Sequence, residues 1–331
     1  MVKIIGGEIG RFSDCACPEL RVKDNASDFM PIHLPPLSRR QFVVRSLATG
    51  ALYALWRPTL LAQAREVDPH CWALISDPHI HSDRAKMAHG INMAAQFEGV
   101  VREVLDLPQR PAGVLINGDL AYNTGFAEDY ATFTELIAPL RAAQIPLTLG
   151  LGNHDHRERF WTALRGDGSA KRPVAEREVA IIPAARANWF LLDTLDKTNS
   201  TPGRLGEAQI TWLAQSLDAH ADKPALIMTH HNPSLKPNST SLLDEDAFLA
   251  VLRPRRQVKA LFYGHTHVWS VKRDESGLHL INLPTTAYVW TPRATGWVTA
   301  QLETGGAKLH LRCIDRARPE HDQRVELAWR T

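Results

Sequence analysis

From Cys71 onward the chain alternates short apolar runs with amphipathic stretches, and several of the apolar runs end in polar residues. Cys71 to Ile75 leads into Ser76-Asp77-Pro78-His79, Val114 to Ile116 into Asn117-Gly118-Asp119, and Pro146 to Leu151 into Gly152-Asn153-His154-Asp155. Ala225 to Met228 precedes Thr229-His230-His231, and Ala260 to Tyr263 precedes Gly264-His265-Thr266-His267. Continuous apolar runs of this length suit strands covered on both faces, and ligands in such sheets gather beyond the carboxyl ends of the strands. Five segments are therefore expected to deliver side chains to one edge.

Helical spacing separates these runs. Phe97, Val100, Val101, Val104 and Leu105 share one helix face, as do Tyr130, Phe133, Leu136, Ile137 and Leu140, and later Ile210, Leu213 and Leu217. These faces read as core. After His267 the pattern changes to short alternating strands, roughly Trp269 to Arg273, Leu278 to Leu283, Gly296 to Glu303 and Lys308 to Ile314, with turns at Glu275-Ser276-Gly277 and Thr304-Gly305-Gly306. The pattern predicts one α/β domain over residues 65–331, with two packed sheets and outer helices.

The first 64 residues read differently. Ser38-Arg39-Arg40-Gln41-Phe42 is followed by a moderately apolar stretch, Leu47 to Leu61, and by Ala62-Gln63-Ala64. Paired arginines before a weakly hydrophobic run and an A-x-A site resemble a bacterial twin-arginine export signal, with cleavage expected after Ala64. Arg57 and Pro58 interrupt the run, which is shorter than the ~20 residues a spanning helix needs, so no stable membrane span is expected after cleavage. The implied partner is the twin-arginine export machinery and the implied location periplasmic or otherwise extracytoplasmic. Met1 to Phe29 is polar and patternless, and Met30 opens a more ordinary signal, so translation is expected to start at Met30.

With 331 residues, 44% of them hydrophobic, the chain can bury a large core. Its net charge of +2 conceals a division: residues 1–64 carry eight Lys/Arg and five Asp/Glu, leaving about −1 for the rest. No basic stripe suited to a nucleic-acid backbone is visible. Cys15 and Cys17 fall in the leader, and Cys71 and Cys313 in the body read as buried free thiols, or as a disulfide pair in an oxidising compartment.

A single D-x-H is weak evidence for a metal. Five strand ends carrying only Asp, Asn and His, with Gly118, Gly152 and Gly264 where the backbone must turn, make a much stronger case. The order D-x-H, G-D, G-N-H-D, H, G-H-x-H, from Leu74 to His267, resembles the calcineurin-like metallophosphoesterase superfamily, and its spacing is similar to the branch of class III cyclic nucleotide phosphodiesterases. That resemblance implies a four-layer α-β-β-α sandwich of two mixed sheets, the metallo-dependent phosphatase fold.

It further implies that Asp77, His79 and His267 hold one metal ion, that Asn153, His230 and His265 hold a second, and that Asp119 bridges them. It places His154 in the active site without coordination; there the imidazole is expected to protonate the leaving oxygen or stabilise the transition state, oriented by a carboxylate such as Asp155, the alternative being a structural histidine that supports the ligands. Carboxylate, amide and imidazole ligands without thiolate favour Mn, Fe, Zn or Co. Two divalent ions facing only two anionic ligands would keep a positive charge that attracts phosphate esters, and a shared water of lowered pKa would attack in line. The expected function is hydrolysis of small-molecule phosphodiesters or phosphomonoesters.

Two other readings compete. Gly118-Asp119-Leu120-Ala121-Tyr122 also matches the G-D-x-x-Y of purple acid phosphatases, but those enzymes have D-x-G where this chain has Asp77-Pro78-His79. Tyr122 is therefore expected to pack nearby without coordinating. The other is a metal-holding binding protein without turnover. Around the motifs, His81, His156 and His231 are expected to be exposed or supporting, and Arg157 to be a phosphate clamp or a surface charge. Tyr288 and Trp290 are read as core packing, with stacking of a base or ring over the site as the alternative, and residues 166–206 are expected to help shape the pocket.

Overall fold

The computed structural model describes residues 65–165, 172–233 and 240–331. The leader signal around Arg39 and Arg40 lies outside the described residues. Residues 63–331 form one compact unit.

Two six-stranded mixed sheets make its centre. The first runs, in spatial order, β14 (Arg324–Ala328), β13 (Gly306–Cys313), β12 (Gly296–Glu303), β1 (Val67–Ser76), β4 (Arg110–Asn117) and β5 (Leu147–Leu149). The second runs β10 (Ser270–Arg273), β11 (His279–Asn282), β9 (Val258–Tyr263), β8 (Ala225–Met228), β7 (Asn188–Leu191) and β6 (Ala180–Pro183). Strands β1, β4 and β5 are parallel to one another, as are β7, β8, β9 and β11. The five motif-bearing strands belong to these parallel groups, so their carboxyl ends open toward one site.

The apolar runs form inner strands because both faces are covered. Between the sheets lie Trp72, Leu74, Leu115, Trp189, Leu226, Met228, Phe262 and Val298. Outside the first sheet, α1 (Met93–Leu105) and α2 (Ala127–Ala142) pack Phe97, Val101, Phe133 and Ile137 onto Ala73, Ile75, Val114 and Ile116. The Asn92 side chain caps α1 by accepting from the Ala95 amide at 2.9 Å. A single turn, α3 (Arg157–Phe160), continues into a π-helical turn at Trp161–Arg165. Outside the second sheet, α4 (Glu207–Ala219) and α5 (Glu245–Leu252) pack Leu213, Leu217, Phe248 and Leu252 onto Phe190, Ile227 and Leu261. The result is the four-layer α-β-β-α sandwich.

The structure adds elements that periodicity did not reveal: β6, β7, β14, α5 and a small hairpin of β2 (Met87–Ala88) and β3 (Ile91–Asn92). All are eight residues or shorter, too short for a distinct period. The late strands also divide between the sheets, β10 and β11 joining the second and β12 and β13 the first. The chain therefore crosses from one sheet to the other between Leu283 and Thr295.

Both body thiols are free. Cys71 pairs with Gln301 on β12 and Cys313 with Gly296 on the same strand, five positions away. At about 3.3 Å per residue the two lie roughly 16 Å apart along the strand direction, well beyond the ~7 Å that a disulfide spans between Cα atoms.

Candidate metal centre

Each motif leaves its strand through a tight turn, and the register sets the turns side by side. Ser76 pairs with Asn117 across β1 and β4, so the Asp77 amide donates to the Gly118 carbonyl at 3.3 Å and His79 to that of Asp119 at 2.9 Å. Across the second sheet, the Gly264 amide donates to the His230 carbonyl at 3.0 Å. Ten non-glycine residues among those described have positive φ, and five of them are Asp77, His79, Asp119, His265 and His267, at 47° to 66°. That conformation costs a side-chain-bearing residue of order 1 kcal/mol or more, and such strain concentrates at functional sites. The glycines allow close approach: a Cβ on Gly152 would collide with the Asp119 carboxylate, and one on Gly264 with Ser76 and the Asp77 carboxylate.

Three groups of potential ligands form, each with its donor atoms within 4.8 Å of one another: Asp77, His79 and His267; Asp119, His230 and His265; and His79, Asp119 and His154. Asn153 lines the same cleft, of about 440 Å³, together with His79, Asp119, His154, His265 and His267. All seven ligands expected from the sequence thus converge, all but the half-buried His265 being buried.

Hydrogen bonds orient the imidazoles. His79 Nδ1 faces the Tyr122 carbonyl at 3.2 Å, His230 Nδ1 that of Asn117 at 2.9 Å, and His267 Nδ1 that of Tyr288 at 2.7 Å. A nitrogen facing a carbonyl must be a protonated one, so in all three rings Nε2 is the nitrogen turned toward the centre and free to ligate a metal there. There His79 Nε2 lies 3.1 Å from His267 Nε2 and 3.6 Å from Asp119 Oδ2. His230 Nε2 lies 3.3 Å from Asp119 Oδ2 and 3.8 Å from Asp77 Oδ1. His230 Nε2 and Asn153 Oδ1 are buried without a hydrogen-bond partner. Lone pairs facing lone pairs in a buried place are unfavourable unless a cation sits among them, so the residues present fit a metal centre.

The electrostatics agree. Burial pushes the His79 imidazole down to about 3 and, with His230 beside it, that of His265 down to about 4, keeping both neutral and able to ligate. Burial also opposes charge on His230, yet the Asp119 and Asp77 carboxylates outweigh it and raise that imidazole to about 10. Burial acts to raise both carboxyls, but His230 and its neighbours hold Asp77 below the usual carboxylate range and Asp119 well below it. The field therefore calls for positive charge, which a metal ion would supply in place of the proton.

Around this centre the expectations for Asp155, Arg157 and Trp290 are corrected, while Tyr122, His231 and Tyr288 lie as expected. Asp155 does not orient His154: it is fully buried, accepts from the amides of Leu120, Ala121 and Gly152 and from the Tyr130 hydroxyl, and so pins the turns. His154 Nδ1 instead faces the Asn123 carbonyl at 2.7 Å, and its amide donates to Asp119 Oδ1 at 2.8 Å. Arg157 clamps no phosphate, because its guanidinium makes a bidentate pair with buried Asp193 at 2.7 and 3.0 Å in a separate cleft. His231 is completely buried against His265. Trp290 is not core: it is 61% exposed and lines the cleft beside the buried Tyr288. Tyr122 packs on His81, ring centroids 5.3 Å apart.

Asn117 carried no expected role, yet it ties the sheets together. Its Nδ2 donates to the Thr229 carbonyl at 2.8 Å while its own carbonyl receives His230 Nδ1. A polar residue ending an apolar run was the available signal. Asn199 and Thr201, from the stretch suspected of shaping the pocket, do line the cleft, along with Thr240 and Thr266.

Two mixed sheets aim carboxylates and imidazoles at one cleft, and the match to a phosphoesterase family makes this chain a metal-dependent phosphoester hydrolase. The model of the calcineurin-like phosphoesterase family matches residues 73–269, and the chain belongs to that family. It is 25% identical over 253 residues to a 3',5'-cyclic adenosine monophosphate phosphodiesterase of Haemophilus influenzae, an alignment covering 74% of this chain and 87% of that protein. It is 30% identical over 203 residues to a glycerophosphodiester phosphodiesterase of Enterobacter lignolyticus, covering 59% and 70% respectively. A dimetal phosphatase of Danio rerio shares the fold, with a TM-score of 0.64, 18% identity, and coverage of 80% of this chain and all of that one.

Proposed function

We propose that this chain is an exported phosphodiesterase that acts on small-molecule diesters at a binuclear centre. Asp77, His79 and His267 would hold one ion, Asn153, His230 and His265 the other, and Asp119 both. The observation that carries this reading is the place of Asp119, whose Oδ2 lies 3.6 Å from His79 Nε2 and 3.3 Å from His230 Nε2, so that one carboxylate reaches both groups. Diester preference is supported by the cyclic nucleotide and glycerophosphodiester phosphodiesterases among its relatives. The leader sequence supports export.

When bound, the ions supply Lewis acidity toward the phosphoryl oxygens and a water of lowered pKa. The chain's own residues do the rest. The strained, hydrogen-bonded turns hold the ligands in place before substrate arrives, which lowers the reorganisation needed at the moment of reaction. His154, fixed through Nδ1 to the Asn123 carbonyl, leaves Nε2 as the nitrogen that would carry a proton to the departing oxygen.

The test is to supply the purified full chain with Mn and assay bis-p-nitrophenyl phosphate, p-nitrophenyl phosphate and cyclic nucleotides side by side, counting bound metal. Diester turnover above monoester turnover, with two ions per chain, is expected. Full activity with one ion would overturn the binuclear assignment. Monoester preference with a visible absorption band lost in Tyr122→Phe would assign the chain to the purple-acid-like reading instead.

A further inference from the structure

Trp290 is the most exposed of the large hydrophobic side chains among the described residues, and it stands in the cleft of the metal centre. An exposed indole at a functional cleft is an unused apolar face. This one is also held firmly. It stacks on His267 with ring centroids 4.9 Å apart and planes 25° apart, and Tyr288 meets it edge-on at 5.7 Å and 89°. Tyr288 is itself backed by His89, at 4.7 Å, from the tip of the β2–β3 hairpin. That tip, His89-Gly90, has φ of 49° and 78°, the paired left-handed conformation that closes a two-residue hairpin. Hydrogen bonding of His267 Nδ1 to the Tyr288 carbonyl at 2.7 Å ties the same backbone to the metal centre.

Resting on the phosphodiesterase reading, we infer that Trp290 is a specificity-determining platform on which a planar ring of the substrate stacks, selecting diesters that carry a nucleobase or similar ring. One ordered aromatic face beside the phosphoryl site suits a flat ring, since bases of any sequence share a π-face that an indole can cover. A quaternary ammonium fits less well because it is enclosed by several aromatic faces, and here Tyr288 is buried and edge-on to Trp290. Asn199 and Thr201 line the same cleft, so its wall is polar as well as aromatic.

The test compares the full-length Mn-loaded chain with Trp290→Ala and Trp290→Phe, on 3',5'-cyclic adenosine monophosphate and on glycerophosphoethanolamine. The expected result is a fall of about tenfold or more in the ratio of kcat/KM for the cyclic nucleotide over the glycerol diester in Trp290→Ala, carried by KM and largely restored by Trp290→Phe. Equal losses on both substrates, or no loss on the nucleotide, would overturn the platform. Calorimetry on the same proteins, with metal content measured, decides the matter even if neither diester turns over. Adenosine 5'-monophosphate should bind more tightly than glycerol 3-phosphate in the wild type, and that difference should vanish in Trp290→Ala. Tighter binding of phosphocholine than of the nucleotide would assign the ring to cations and reject the inference. Absence of diester hydrolysis by the wild type would reject the phosphodiesterase reading alone.

Discussion

The ring of His231 lies against that of His265, centroids 4.6 Å apart and planes 46° apart, and among the described residues His265 is hydrogen-bonded through its backbone amide to Asp77 rather than through its ring. His79, His230 and His267 are each oriented through Nδ1 by a backbone carbonyl. His265 is oriented by packing instead, between His231 and His230. Behind it, His231 is fixed by Thr194 Oγ1 at 2.8 Å, and Gly203 leaves no room for the ring to retreat. Supporting contacts of this kind are worth roughly 10- to 100-fold in metal affinity. His231→Ala should weaken binding of one ion by about that much, and His231→Phe, which keeps the ring, should recover most of it. Metal analysis after dialysis against a graded chelator measures both; equal loss in the two variants would show that packing is not what matters.

Asp119→Asn should abolish activity more completely than Asn153→Asp. The first removes the charge that both imidazole groups face, whereas the second keeps an oxygen donor at the buried, unpartnered Oδ1 position. Metal content should fall with activity in Asp119→Asn. Retention of two ions and full turnover would refute the shared role.

His154 donates from Nδ1 to Asn123, so proton transfer to a leaving oxygen must use Nε2. Help from an acid matters most for a poor leaving group, where it is worth about 10²- to 10⁴-fold. His154→Ala should therefore lose much more rate on an alkyl diester or nucleotide than on a p-nitrophenyl ester, at unchanged metal occupancy and with chemistry limiting. Equal losses would point to positioning or charge stabilisation.

Gly264→Ala drives a methyl group into Ser76 and the Asp77 carboxylate. Overpacking of this sort costs about 1 to 3 kcal/mol, and relief requires Asp77 to move away from the centre. Thermal denaturation with and without Mn should show lower stability and a smaller stabilisation by the metal than in the wild type. An unchanged metal-induced shift in Tm would mean the loop yields without disturbing Asp77.

Export should depend on the arginine pair. Replacing both Arg39 and Arg40 by Lys should leave precursor in the cytoplasm, read by fractionation and immunoblotting. Unchanged periplasmic delivery would count against the signal.

Legible in the sequence were the residues that converge on the cleft and the ends of the strands that bear them. Asp77, His79, Asp119, Asn153, His230, His265 and His267 were legible because an apolar run that stops at Asp, Asn or His with an adjacent glycine has few physical explanations, and five such runs have fewer. The helix faces of Phe97, Phe133 and Leu213 were legible because burial on one side imposes a 3.6-residue period. Tertiary structure alone decided everything that depends on residues far apart in the chain meeting in space. Arg157 finds Asp193, Asp155 finds three amides in two turns, and His231 finds His265; none of these choices follows from neighbours in sequence, because several partners of suitable chemistry were available to each. Trp290 shows the same limit from the other side. Its apolar character predicted core, but the chain crosses between sheets at that point, and the crossing loop sets its ring over His267 with one face left to solvent.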